Sequence, residues 1–197
     1  MLADSRQVWV VRHGDTEWSR DGRHTGRTDL PLVDSGRLQA EGIGPRLSRH
    51  AFDLVLSSPL QRAVETARLA GFDGGVQLDP DLEEWDYGVY DGLTTPQIRE
   101  QDPGWSLWET GGPGGESPDA VARRADRVVK LMRQATGDVV VFSHGHFLRV
   151  LTCRWLGVPP AAGRYFYIGT AGLGVLGYER DTPVVRAWNL SADGGPA

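Results

Sequence analysis

Short blocks of consecutive apolar, largely β-branched residues alternate along the chain with segments whose apolar positions recur every three or four residues. The blocks fall at about 7–12, 53–57, 76–79, 138–143, 172–178 and 183–188 and predict strands. Gln7-Val8-Trp9-Val10-Val11 and Asp138-Val139-Val140-Val141-Phe142 are continuous enough to be buried on both faces. Between the blocks, residues 35–49 carry Leu38, Ile43 and Leu47 behind a cap at Asp34, predicting a helix bent or broken at Gly42-Ile43-Gly44-Pro45. Further helices are predicted over 59–69, after the capping pair Ser57-Ser58, and from Ser117-Pro118 onward through Val121, Val128, Leu131 and Met132. A last helix, over 147–156, stops at Gly157-Val158-Pro159-Pro160. Such alternation defines the α/β class.

Residues 84–116 break the pattern, interleaving Gly88, Gly92, Gly104, Gly111, Gly112, Gly114 and Gly115 with Trp85, Tyr87, Tyr90, Trp105 and Trp108. This stretch reads as a lid-like insertion with one short helix near 95–100, or equally as a surface loop pinned by packed tryptophans. There is no internal repeat, and the rest of 1–190 reads as a single domain, with 191–197 as a flexible tail.

The 197-residue chain has one cysteine, Cys153, no basic-then-apolar amino-terminal leader and no apolar window of membrane-spanning length, which predicts an intracellular, cytoplasmic protein. A net charge of -5 argues against a nucleic-acid surface. Lys130 is the only lysine, so the positive charge is nearly all arginine, the side chain suited to bidentate oxyanion binding. A GC-rich genome accounts for that excess as well, so the count alone points to no function.

The candidate chemistry lies where strands end. His13 follows the first block and His144 the fourth, Arg62 falls in the first turn of the helix after the second block, and Glu84 follows the third. If these strands run parallel, all four meet on the carboxyl rim of the sheet, where ligands bind in open α/β folds. Two arginines, Arg12 and Arg62, and two histidines can desolvate a phosphate dianion, and a neutral imidazole held through its other nitrogen can attack phosphorus without a metal. A protonated carboxyl, kept so by burial beside Trp85, would then serve the leaving group and favour mildly acidic pH. Glu84 is the candidate, with Glu83 its alternative.

Val11-Arg12-His13-Gly14-Asp15-Thr16-Glu17-Trp18, Arg23-His24-Thr25-Gly26-Arg27, Ser58-Pro59-Leu60-Gln61-Arg62-Ala63, Glu84-Trp85-Asp86-Tyr87-Gly88 and Ser143-His144-Gly145-His146 occur in one order over residues 8–150. Taken together they resemble the histidine phosphatase superfamily, in its phosphoglycerate mutase-like branch. The resemblance implies a three-layer α/β/α sandwich with a mostly parallel sheet and hydrolysis of small phosphate esters, sugar phosphates among them, with neither cofactor nor metal. It implies a phosphorylated His13, a phosphoryl group held by Arg12, Arg62 and His144, Glu84 as acid and then base, and Thr16, Thr25 and Gly26 near the phosphate. It also admits a homodimer. The chain departs from the mutase pattern in having Ser19 after the signature tryptophan, Thr95 where a lysine is expected, and no adjacent arginines between Glu84 and Glu116. A phosphatase is therefore expected, with a 2,3-bisphosphoglycerate-dependent mutase as the alternative. A metal-dependent hydrolase and an inactive phospho-ligand-binding protein are the readings from other classes; the chain lacks metal-ligand spacing and keeps all five site residues.

Among the remaining candidates, His24 either touches substrate or is a loop histidine, and His146 either lines the pocket or, the favoured reading, caps the helix that follows. His50 is assigned to a helix end and Cys153 to a packed helix face. Glu116-Ser117 reads as a capping device.

Overall fold

The computed structural model describes residues 6–192, so of the tail expected over 191–197 residues 193–197 lie outside the described residues. Six strands form one sheet in the order β3-β2-β4-β1-β5-β6: β1 (Val8–Arg12), β2 (Phe52–Ser57), β3 (Val76–Leu78), β4 (Asp138–Ser143), β5 (Leu173–Glu179) and β6 (Thr182–Leu190). The first four run parallel, while β5 and β6 pair antiparallel at one edge. The expected strands are all present, displaced at their ends by a residue or two.

Central strands alternate their side chains between two cores. Val8 and Val10 of β1 and Val139 and Val141 of β4 join one, with α6 (Pro118–Gln134) and α7 (Gly145–Leu156). Trp9, Val11, Val140 and Phe142 join the other, with α2 (Asp34–Leu47) and α3 (Gln61–Leu69). Helices thus cover both faces, the architecture that lets these strands read as unbroken apolar runs. A four-residue α1 (Glu17–Arg20) lies between β1 and α2.

Three local expectations are corrected. The helix over 34–47 is not broken at Pro45, which falls in its last turn, where the lost N–H removes one bond at a fraying end. Ser57-Ser58 does not cap α3, whose N-cap is Leu60 with no side-chain bond; the Ser58 hydroxyl accepts from the Leu60 N–H at 3.3 Å and lies 2.8 Å from His144 Nε2. Ser117 does cap α6, accepting from the Ala120 N–H. The 84–116 excursion carries two short α-helices rather than one, α4 (Thr95–Gln101) and α5 (Leu107–Thr110), besides a 3-10 turn at Gly88–Tyr90, and buries Trp85, Tyr87, Tyr90 and Trp105 in the first core.

Gly36, in the first turn of α2, lets that helix lie against the loop leaving β1, since a Cβ there would stand 2.2 Å from the Asp15 carbonyl oxygen. Helix propensity alone favours alanine at this position. The contact reverses that sign: Gly36→Ala is expected to cost about 1–3 kcal/mol by overpacking, lowering the melting temperature by several degrees in a thermal scan. Gly74→Ala, where a Cβ meets nothing within 4 Å, is the control and should leave melting unmoved.

Candidate active site

The parallel register opposes Arg12 with Ser143, so the next residues, His13 and His144, emerge side by side with ring centroids 5.2 Å apart. His13 is tied down at both backbone ends, its N–H to the Ser143 carbonyl and its carbonyl to the Ala171 N–H. Its Nδ1 lies 2.7 Å from the Gly14 carbonyl, which can only accept, so Nδ1 carries the proton and Nε2 keeps the lone pair. Burial, then the charges of Arg62 and Arg12, hold its pKa well below the ordinary histidine value, against the opposing Gly14 bond. Burial and the neighbouring guanidiniums therefore favour the neutral imidazole.

Arg62 is fully buried in the first turn of α3. Its Nε donates to His144 Nδ1 at 3.1 Å, Nη1 to the Thr28 carbonyl at 2.9 Å, and Nη2 to the carbonyls of Gly26 at 2.8 Å and Thr25 at 3.3 Å. Because a guanidinium only donates, His144 must carry its proton on Nε2, 2.8 Å from Ser58 Oγ. Burial and then the Arg62 charge depress the His144 pKa as well. Arg12 donates through Nη1 to the Ile168 carbonyl, but its Nε is buried without an acceptor, the only such side-chain nitrogen or oxygen among the described residues. Gly145 makes room for it, since a Cβ there would stand 3.2 Å from that nitrogen.

Glu84 is held at the start of α7. Oε2 accepts from the His146 N–H at 3.0 Å, and Oε1 from the N–H groups of Phe147 at 2.8 Å and Trp85 at 2.9 Å. These are otherwise unsatisfied donors of a helix start and a turn, so the carboxyl supplies what the backbone needs while its position is fixed. The surroundings are amides rather than the aromatic faces expected from sequence: the Trp85 indole turns away to the Glu116 carbonyl. Arg124 fastens this segment from behind, gripping both Glu116 oxygens at 2.7 Å and the carbonyls of Asp81, Glu83 and Glu84.

Arg12, His13 and Glu84 open into a cavity of about 270 Å³ whose walls include Ser19, Thr25, Tyr87 and Thr95. Of the remaining predicted residues, Arg62 and His144 lie behind this surface. Thr16 spends its hydroxyl capping α1, and Gly26 donates its N–H to Asp91 Oδ1 at 2.6 Å. His146 is a correction: its ring caps nothing but faces the cavity, with Nδ1 2.7 Å from the Tyr87 hydroxyl. His24 also lines the cavity, 3.2 Å from the Thr95 hydroxyl. His50 instead packs on Trp9, and Cys153 is buried in α7. Sequence reasoning missed Asp91, which clamps Gly26 and the Thr28 hydroxyl, and Arg124; an aspartate before a turn glycine and an arginine on a helix face give no local sign of long-range partners. Among the described residues no group of three His, Cys, Asp or Glu could hold a metal ion, and no helix is long and apolar enough to cross a membrane.

A neutral, oriented imidazole beside an unpaired guanidinium donor and a fixed carboxyl is the equipment of a phosphoryl-transfer enzyme. The chain belongs to the histidine phosphatase superfamily (branch 1), which its residues 8–191 match. It is 45% identical over 196 residues to an acid phosphatase of Mycobacterium tuberculosis, covering 98% of this chain and 96% of that one. A sedoheptulose 1,7-bisphosphatase of Saccharomyces cerevisiae is 33% identical over 181 residues, covering 76% of this chain and 67% of its own. The solved structure of an open reading frame of M. tuberculosis superposes with a TM-score of 0.91 at 42% identity, covering 95% of this chain and 99% of that one. The protein is a phosphatase of this superfamily.

His24, with its pKa lowered to about 4 by burial, joins His13, His144 and His146 in resisting protonation. In the unfolded chain these groups titrate near 6.5, so below that pH the unfolded state binds more protons. Stability should be full above about pH 6.5 and fall as pH drops toward the folded-state values. Urea titrations between pH 7 and 4.5 read this slope, and His24→Gln should flatten it by up to about 1.4 kcal/mol per pH unit. Nitrogen NMR should find all four rings neutral at pH 6.

Proposed function

We propose that the protein hydrolyses small phosphate monoesters by double displacement through a phosphohistidine at His13. The observation that carries this reading is the His13 Nδ1 bond to the Gly14 carbonyl, which leaves Nε2 as the nucleophile, next to an Arg12 Nε that lacks an acceptor. Nε2 attacks phosphorus as the ester P–O bond breaks, Arg12 takes a phosphoryl oxygen, and Glu84 delivers a proton to the departing alkoxide. Water then attacks the phosphohistidine, Glu84 receives a water proton, and the P–N bond breaks to return neutral His13 and inorganic phosphate. Arg62 adds charge from behind the nucleophile and fixes the His144 ring beside it, Thr25 contributes wall, and Thr16 and Gly26 shape the loops that hold it.

Transfer to water rather than to a second substrate hydroxyl is supported by what stands where a mutase grips its substrate carboxylate. Thr95 is engaged with His24, Arg99 is the only arginine of the 84–116 segment, and Arg124 beyond it is committed to Glu116 and three carbonyls, so no free guanidinium pair is offered there. Its packed aromatics support a role as a fixed pocket wall within one catalytic domain. The similarity to a sedoheptulose 1,7-bisphosphatase favours sugar phosphates as substrates, and the single buried thiol accords with a cytoplasmic enzyme.

The test is phosphate release from nitrophenyl phosphate, 3-phosphoglycerate and sugar mono- and bisphosphates with EDTA present, alongside an assay for 2-phosphoglycerate. Chelator-insensitive release without isomerisation is expected; isomerisation exceeding release would establish the mutase, and binding without release an inactive relative. His13→Ala should abolish turnover and the phosphoenzyme trapped by acid quench. Glu84→Gln should slow alkyl esters about 10²–10⁴-fold while sparing nitrophenyl phosphate, whose leaving group needs no proton. Equal losses on both would remove Glu84 from the acid role.

A further inference from the structure

One short loop, residues 168–172, is sewn to the end of β1 at Arg12, His13 and Asp15. The Ile168 carbonyl accepts from Arg12 Nη1 at 2.8 Å, and the Gly172 carbonyl accepts from the Arg12 N–H at 3.1 Å. The Ala171 N–H donates to the His13 carbonyl at 3.0 Å, and the Thr170 hydroxyl donates to Asp15 Oδ1 at 2.6 Å. Among the described residues, Ile168 supplies the one acceptor that the Arg12 guanidinium has. Where that carbonyl stands therefore sets where the acceptor-free Nε points.

The loop does not hold this shape through its own backbone preference. Ala171 has φ +51°, a left-handed conformation that a residue with a Cβ rarely adopts unless its surroundings impose it. Two side chains impose it here. Asn189 Oδ1 accepts from the Gly169 N–H at 2.7 Å on the β6 side, and Asp15 takes the Thr170 hydroxyl on the β1 side. Asp15 is itself braced on α2: Oδ2 accepts from Gln39 Nε2 at 3.1 Å and from the Ser35 hydroxyl at 3.2 Å, while its N–H donates to Gln39 Oε1 at 2.9 Å. A line of contacts thus runs from α2 through Asp15 and Thr170 to the carbonyl that aims Arg12. Neither Asp15 nor Thr170 lines the cavity of His13.

We propose that Asp15 and Thr170 form a positioning pair for phosphoryl transfer, their bond holding the 168–172 loop where Ile168 aims Arg12 and Ala171 fixes the His13 backbone. This rests on the assignment of Arg12 and His13 as the phosphoryl end. The pair acts through the guanidinium and the nucleophile, not on substrate. In-line attack needs both aligned at once, and a displacement of about 1 Å can cost about a hundredfold in rate. Loss of the bond therefore falls on kcat more than on KM.

Steady-state kinetics on nitrophenyl phosphate, run well below the lowest melting temperature of the set, test the pair. Thr170→Val keeps the shape and removes the hydroxyl; it should lower kcat about ten- to a hundredfold with KM within about threefold of wild type. Thr170→Ser restores the donor and should recover most of the loss. Adding Thr170→Val to Asp15→Ala should cost little beyond Asp15→Ala alone, as expected of groups that act through one bond. Ser35→Ala removes another donor from the same carboxylate and should leave kcat unmoved. Wild-type kcat in Thr170→Val, a loss that Thr170→Ser does not recover, additive losses in the double variant, or an equal loss in Ser35→Ala would each overturn the proposal. Should Thr170→Val fail to fold, Thr170→Ala replaces it; failure of both would make the bond one of stability and overturn the proposal as well. A wild type that releases no phosphate, or a His13→Ala variant that still does, would instead sink the phosphohistidine reading and the pair with it. Turnover through His13 with Thr170→Val unimpaired sinks the pair alone.

Discussion

A guanidinium with no exposed surface has to find acceptors for its donors, and Arg62 finds them in the loop carrying Thr25, Gly26 and Thr28 and in the ring of His144. The rest of the site depends on that requirement. It pulls a loop from the start of the chain over the start of α3, fixes which nitrogen of His144 is protonated, and sets a permanent charge behind His13. Asp91 closes the same loop from the opposite side. A lysine could supply charge here, but not four donations in one plane.

The charges are distributed so that a bound anion completes them. The two core histidines are neutral because desolvation and neighbouring guanidiniums oppose protonation, so the cationic field comes from arginines that do not titrate in the working range. Glu84 gives its oxygens to three amide donors, two of them from the start of α7. A protein of net charge -5 thereby holds a locally positive cavity, and long-range attraction of anions gives way to short-range capture.

The sheet and its flanking helices were legible because they rest on periodicity, and the rim followed once β1 to β4 proved parallel. His13 and Glu84 could be located from strand ends. What escaped were contacts made across the chain. Ser58 reads locally as a helix cap, but its hydroxyl answers to His144; His146 reads as a cap, but its ring answers to Tyr87; Asp91 and Arg124 give no local signal because their partners lie on other segments. The 84–116 insertion was ambiguous since tryptophans spaced by glycines serve an open loop as well as a packed wall, and only the burial of Trp85, Tyr87, Tyr90 and Trp105 separates the two.

The bond from His13 Nδ1 to its neighbour's carbonyl also bears on the stereochemistry of the reaction. A ring anchored at one nitrogen offers phosphorus a single face of approach, and each in-line displacement inverts the configuration there. On the proposed route ester to phosphohistidine is one inversion and phosphohistidine to product a second, so a phosphorothioate ester made chiral with one oxygen isotope and hydrolysed in water carrying another would release thiophosphate with its handedness retained. Direct attack by water would invert it once. The handedness of the product thiophosphate is thus a record of whether the imidazole took part.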